Sequence, residues 1–403
     1  MTKRQKDWWQ LGLAAVFLIA ALAFVPLKAQ AGPPVVKEWH LPSLILMSGP
    51  WAAYGLEGKW GIEMAVEEVN ASGGIRGLPL KLTWLDSAYD TAKTVQQMGR
   101  ALGMKPLLII GPQGDTEQAA ACPIAAKEEV FILAGDGDNL PFEQNYPWGT
   151  TLMTPVEIVT HNAAAFWTER HAKDVKAVIM FTNLTSTTIQ RQADEWRKVM
   201  EAKGLKVLPD IEIPPDAVDF RSPVLKALGQ GADGFINITS PDQAAKLDIE
   251  LRKAGVKEGF RIVNYLATNS PALYEIGKEY LEDTYTYDIY SPYVEAPRWQ
   301  ALLAKYREWK KDPNALPNYF PAFNHDLPFV IKQAFEACQI TGDPNKLKEE
   351  RVKIRDYILH LKDFETVQGY KINVIEKTGG ARRPLYYYQI KSAKPQLLTT
   401  IQQ

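Results

Sequence analysis

The sequence predicts an α/β protein made of two doubly wound parallel sheets in tandem. Three observations carry this. Short apolar runs alternate with amphipathic helical stretches from residue 41 onward. Glycines close several of the helices, at positions where the chain needs a positive φ. The alternation then runs through twice, on either side of a turn-rich stretch at 139–151, which splits the strands between two lobes.

The first series begins with LPSLILMS as a strand. A helix over 54–71 follows, with Trp60, Met64, Ala65 and Val69 at near-helical spacing and Gly73-Gly74 closing it. Next come LPLKLTWLD (strand), TAKTVQQMGRALG (helix), PLLIIG (strand), TEQAAACPIAAKEE (helix) and VFILAG (strand). The second series reads VEIVTHNAAAFWTERH (helix), VKAVIMF (strand), TIQRQADEWRKVMEAKG (helix) and LKVLPDIEI (strand). It continues with DFRSPVLKALG (helix), ADGFINIT (strand), PDQAAKLDIELRKAG (helix) and FRIVNYLA (strand). After about residue 285 the rhythm changes to helices over 299–309, 323–339 and 347–361. A tail follows in which KINVIE and PLYYYQI flank Thr378-Gly379-Gly380 as a hairpin.

Residues 1–31 stand apart from this pattern. Lys3, Arg4 and Lys6 precede an apolar run over 11–25, and Ala29-Gln30-Ala31 has the spacing of a cleavage site, so a secretory signal cut after Ala31 is expected. An uncleaved anchor is the competing reading, but the run of about 15 residues is short of the ~20 that span a bilayer. No cysteine lies near the cleavage site to carry a lipid, which points to a free periplasmic protein. The chain has 46 basic and 47 acidic residues, too even a balance for a nucleic-acid or membrane-surface partner. Cys122 and Cys338 both sit in helical patterns; they act as small buried hydrophobes or pair in an oxidising compartment, and spacing leaves this open.

Catalytic and cofactor signatures are missing. The five histidines are scattered, with no H-E-x-x-H, no G-x-S-x-G and no P-loop anywhere in the chain. Gly229-Gln230-Gly231-Ala232-Asp233-Gly234 satisfies G-x-G-x-x-G, but a helix enters it and a strand leaves, the reverse of a dinucleotide site. Asp136-Gly137-Asp138-Asn139 fails as a calcium loop at Leu140 and Pro141. No metal, no cofactor and no enzymatic reaction are expected.

Ligands of doubly wound sheets bind beyond the carboxyl ends of the strands. The loops there are 48–55, 111–116 and 134–139 in the first half, and 182–188, 240–243 and 266–270 in the second. In them the run Ser48-Gly49-Pro50-x-Ala52-x-Tyr54-Gly55 stands out, followed by Ala65-Val66-Glu67-Glu68-Val69-Asn70-Ala71-x-Gly73-Gly74-Ile75-x-Gly77, Leu85-Asp86 and Ile110-Gly111-Pro112. These blocks, with Asp219-Phe220 and Leu251-Arg252-Lys253-Ala254-Gly255, resemble the periplasmic substrate-binding proteins of ABC importers in the leucine/isoleucine/valine and amide class. The resemblance runs in order over the mature chain.

It implies the type I periplasmic-binding fold, two lobes joined by three hinge crossings. Lobe one would hold 37–155 and 286–375, and lobe two 156–285 and 376–403. It also implies a small-molecule ligand trapped as the lobes close, an ABC permease as membrane partner, and a monomer. A ligand sensor serving a membrane receptor is the alternative role.

The departures from the family bear on the ligand. Family members hold an α-carboxylate with hydroxyls at positions that here align with Asp115 and Asp138. The acidic residue that meets the α-ammonium is missing from Tyr265-Leu266-Ala267-Thr268, and the usual aromatic is missing from Thr185-Ser186-Thr187. A simple α-amino acid therefore fits poorly. A cationic ligand, or a neutral one rich in donors, fits better, with Trp51 and Tyr54 stacking on it. The candidate contacts are Trp51, Tyr54, Asp115, Thr116, Asp138, Asn139, Ser186, Leu266 and Thr268. Asp115 can instead cap the helix that Asp115-Thr-Glu-Gln118 opens, Asp138 can brace a turn, and Asp326 can cap its helix.

Overall fold

The structure is a computed structural model, and it describes residues 32–49, 51–183, 187–265 and 271–403. The first sheet is parallel throughout, with β1 (Trp39–Ile45), β2 (Leu80–Asp86), β3 (Leu108–Ile110), β4 (Phe131–Ala134) and β5 (Gly149–Thr151) in the order β2-β1-β3-β4-β5. The second holds β6 (Ala177–Thr182), β7 (Lys206–Val207), β8 (Ile211–Glu212), β9 (Gly234–Ile238), β10 (Ile262–Asn264) and β11 (Tyr285–Asp288). Its parallel part runs β7-β6-β9-β10-β11, with β8 pairing further along β6, so both sheets share one strand order. Helices cover both faces, and β3, β4, β6 and β9 are accordingly buried at every position.

The strand expected over LKVLPDIEI divides into β7 and β8, because Pro209 has no N–H to give a ladder. The expected terminal hairpin also differs. β13 (Lys371–Ile375), flanked by the short β12 (Phe364–Glu365), turns onto β14 (Gly380–Arg382). The next strand, β15 (Leu385–Lys391), leaves for the second sheet, pairing antiparallel with β11 and with a last strand, β16 (Lys394–Ile401). Its tyrosines decide this. Tyr387 stacks on Tyr287 at 5.8 Å and lies 4.4 Å from the Phe166 ring, in a core that β13 does not reach.

The helix expected from 323 starts at Tyr319 and runs to Ala337. Asn318 caps it by accepting the Phe320 N–H, and Pro321 falls in the first turn, where its missing N–H costs nothing. This helix lies against Ala52–Ala71 at short range, and Gly61 is what allows it: a Cβ there would come 2.3 Å from the Pro321 carbonyl oxygen. Asp326 consequently sits in the middle of a helix and caps nothing. It accepts the Val367 N–H at 2.8 Å and lies 3.4 Å from the Arg383 guanidinium.

Three segments carry the chain between the sheets: after β5, after β11 and between β14 and β15. β11 stays in the second sheet through Asp288, and β14 pairs with β13 through Arg382, so two of the changes fall a few residues beyond 285/286 and 375/376. Arg383, on the last of these segments, ties it to the first. Its N–H donates to Thr154 Oγ1 at 2.9 Å, its Nε to the Leu152 carbonyl at 2.6 Å, and its guanidinium lies 3.6 Å from the Phe323 ring centre. The largest core cluster also bridges the halves, since Trp60 of the first-sheet helix shares it with Tyr287 and Tyr387 of the second sheet. Cys122 is buried, Cys338 half-buried, and both are free thiols. Among the described residues no helix is long and apolar enough to cross a membrane.

Candidate functional site

Strand order places the site. In each sheet the order reverses beside the first strand, between β1 and β3 and between β6 and β9, and beyond the carboxyl ends at such a reversal is where doubly wound sheets place a ligand crevice. The two crevices face each other, because Thr188, just past the end of β6, lies 2.9 Å from Asp138 and 3.5 Å from Asp115.

The loop after β1 is shaped by Asp86 at the end of β2. Its carboxylate accepts the N–H groups of Met47 and Ser48 and the Ser48 hydroxyl, and pairs with Lys93. Burial works against that charge, but Lys93, Ser48 and Met47 hold the carboxyl down at about 2. The helix that follows comes close to β1 because Gly55 has no Cβ to strike the Leu46 carbonyl, 2.1 Å from where one would stand. This sets Trp51 on the rim, 47% exposed, with its ring 5.5 Å from Tyr54 and 6.1 Å from Tyr89. Tyr54 in turn lies 5.7 Å from Phe320, which packs on Tyr319 at 4.8 Å. The result is a wall of aromatic faces along one side of the crevice.

Asp115 does not cap its helix. The N-cap is Gly114, whose N–H is taken at 3.1 Å by Glu117, and Glu117 also accepts the Tyr89 N–H at 3.1 Å. Burial pushes the Glu117 carboxyl up to about 7. Asp115 Oδ1 accepts the Tyr89 hydroxyl at 2.6 Å and the Thr116 N–H at 2.8 Å, while Oδ2 has, among the described residues, the Thr188 hydroxyl at 3.5 Å. Thr116 is exposed beside it, its hydroxyl 3.4 Å from that of Tyr89.

Asp138 is nearly enclosed and heavily partnered. Arg191 Nη1 donates to its two oxygens at 2.9 and 2.7 Å, the Thr188 hydroxyl donates at 2.9 Å, and the Leu140 N–H at 3.2 Å. Arg191 also turns its Nε and Nη2 toward Glu157. The expectation that Asp138 waits for a cationic ligand is therefore changed: a guanidinium from the other sheet already answers its charge. Asn139 donates to the Thr378 carbonyl at 3.1 Å and accepts from Arg191 Nη2 at 3.4 Å. Asp136 is fully buried and accepts from Asn324 at 2.6 Å, and burial pushes its carboxyl well above the usual range. Ser186, Leu266 and Thr268 lie outside the described residues.

Trp51, Tyr54, Asp115, Thr116, Asp138 and Asn139 thus come together around one crevice. Sequence reasoning missed Tyr89, Glu157 and Arg191. Tyr89 stands in the loop leaving β2, a carboxyl-end loop like those inspected. Arg191 stands three residues after Thr188 on one helix face. Nothing local distinguishes Glu157. The crevice offers aromatic faces and hydrogen-bond acceptors around a partly exposed carboxylate, means suited to holding a small molecule.

A two-lobed α/β fold whose strands turn their carboxyl ends toward each other is an architecture suited to enclosing a small molecule. The periplasmic binding protein family model matches residues 38–395, and the chain belongs to that family of extracytoplasmic, ABC-transporter-type binding proteins. Among curated relatives, the chain is 25% identical over 357 residues to Leu/Ile/Val-binding protein homolog 7 of Brucella melitensis, covering 82% of this chain and 88% of that one. Among solved structures, it resembles the leucine-binding protein LivK of Thermotoga maritima, with a TM-score of 0.74, 20% identity and coverage of 90% and 98%. It also resembles a Rhodopseudomonas palustris ABC-transporter solute-binding protein in complex with 4-hydroxybenzoate, with a TM-score of 0.73, 18% identity and coverage of 90% and 96%.

Proposed function

We propose that this protein is exported through a signal cut after Ala31, captures a small ring-bearing molecule between its lobes and delivers it to an ABC import permease. The observation that carries the reading is the aromatic wall of Trp51, Tyr54 and Tyr89 beside the partly exposed Asp115, whose Oδ2 has one long contact among the described residues. A flat ring can stack on such a wall, while a hydroxyl, amide or ammonium donates to Asp115. The Rhodopseudomonas protein in complex with 4-hydroxybenzoate has a hydroxylated ring on this fold, although the carboxylate of that compound would meet the same repulsion at Asp115 as that of an amino acid. An α-amino acid is disfavoured, since Asp115 and Asp138 stand where family members offer hydroxyls to the carboxylate.

A thermal-shift panel of phenols, aromatic amines, amides, polyols and α-amino acids tests this. A ligand at ~100 times its Kd adds about 2.7 kcal/mol of stability. Stabilisation by α-amino acids alone overturns the reading. With a hit in hand, Asp115→Asn is expected to weaken binding by about 1.5–3 kcal/mol, the range for a charge-assisted hydrogen bond, and Trp51→Ala by about 1 kcal/mol. Loss of uptake of the same compound on gene deletion supports import; undiminished uptake contradicts it.

A further inference from the structure

Arg191 belongs to the helix Thr187–Ala202 of the second sheet, and Asp138 to the loop after β4 of the first. We infer that Arg191, held by Glu157, is a latch that closes the two lobes through Asp138 and so sets which charge a ligand can bring into the crevice. This rests on the reading of the crevice as a capture site.

The geometry has the parts of a latch. Glu157 stands on Val156–His171, in the same lobe as Arg191, and takes the Nε and Nη2 edge of the guanidinium. That leaves Nη1 aimed across the crevice, where both Asp138 oxygens receive it at 2.9 and 2.7 Å. Thr188, one turn earlier on the same helix face, adds its hydroxyl to Asp138 at 2.9 Å. The Asp138 side chain is only 4% exposed and that of Arg191 18%, so the pair is poorly screened by salt. Separating the lobes breaks every Asp138 contact named except that to its neighbour Leu140. The energy of the contacts from Arg191 and Thr188 to Asp138 exists only in the closed arrangement, which is what shifts a hinge equilibrium.

The consequence for recognition is direct. An anionic group placed at Asp138 meets a carboxylate, and a cationic group there must displace Arg191. A ligand is therefore uncharged where it passes this pair, and its ionic or donor group is directed to Asp115.

The experiment measures lobe separation by spin-label distances in the full mature chain, without added solute. Labels go at Ala53→Cys and Asp216→Cys, both exposed and on opposite lobes, in a Cys338→Ser background; Cys122 is buried. The parent should populate the short distance. Arg191→Met and Asp138→Asn should each lower the closed-to-open ratio roughly 10- to 100-fold, the worth of a charge-assisted bond. The double variant should do little more than either single one. Arg191→Lys should retain part of the closed population, a rescue that loss of packing alone does not predict. Circular dichroism identifies any variant that fails to fold, and the other then carries the test. An unchanged distance distribution in the folded variants overturns the latch. The thermal-shift panel reads ligand stabilisation independently of lobe distance, so the latch can fail while capture stands, and the reverse.

Discussion

Single side chains at this site do work that their type alone does not announce. Asp115, Asp136 and Asp138 are three aspartates on two neighbouring loops, yet one is partly exposed beside Tyr89, one is fully buried and one is paired across the crevice. Arg383 shows the same dependence on surroundings. It is buried among the crossing segments, donating to the Leu152 carbonyl and, at 2.7 Å, to the Tyr370 hydroxyl, while facing Asp326. Arg383→Met leaves the buried Asp326 carboxyl without its cation, and the expected cost is about 3–5 kcal/mol at pH 7.5. Burial raises the Asp326 pKa, with Arg383 opposing. Removing Arg383 raises it further, so protonation relieves the variant and the cost should shrink at pH 5. Denaturant titrations at the two pH values check this; equal losses at both would show that Asp326 is not the group left unpaired.

At the level of elements, helix starts are where the crevice is assembled. Gly114, rather than Asp115, caps Asp115–Lys127, and Glu117 reaches back to bind both Gly114 and the loop after β2. A pH dependence follows. The Glu117 carboxyl titrates at about 7 in the folded protein against 4.5 in the reference state, because burial penalises its charge. Its favourable contribution is complete below about pH 4.5 and is lost as pH rises through about 7. Asp248, buried beside Asn237 and Asn264, is also pushed up to about 7 and acts in the same direction. The melting temperature is therefore expected to fall between pH 5 and 8, and Glu117→Gln should flatten that slope without abolishing it. Melting curves at pH 5, 6.5 and 8 decide; parallel profiles for parent and variant would remove Glu117 from the account.

Considered whole, the molecule is two sheets that the chain cannot complete one at a time. The second sheet needs β15 and β16 from beyond residue 384, while the helix Tyr319–Ala337 returns to pack on Ala52–Ala71. One core cluster reaches from Trp60, stacked on Trp309 at 5.5 Å, to Tyr387 in the second sheet. The proposed parting of the lobes at the crevice is compatible with cooperative unfolding, because neither lobe can unfold without uncovering the shared core. A single calorimetric transition is expected, with calorimetric and van't Hoff enthalpies in agreement. Two resolved transitions would show that the lobes are energetically independent.

The alternation of apolar runs and helical stretches, read residue by residue, was enough to determine the α/β class, the doubling into two series and the loops that carry Trp51, Tyr54 and Asp115. These are local properties: periodicity, helix stops and the rule that ligands gather at strand ends are written in neighbouring residues. Tertiary structure alone decided which residues meet across the crevice. Arg191 and Asp138 are 53 positions apart and come together only because the two sheets share one strand order and turn their carboxyl ends toward each other. The same holds for β15, whose tyrosines are buried beside β11 rather than beside the strand that precedes them. A charge pair between distant elements leaves no periodic trace in the chain, since its energy arises only when both partners lose water at the same place.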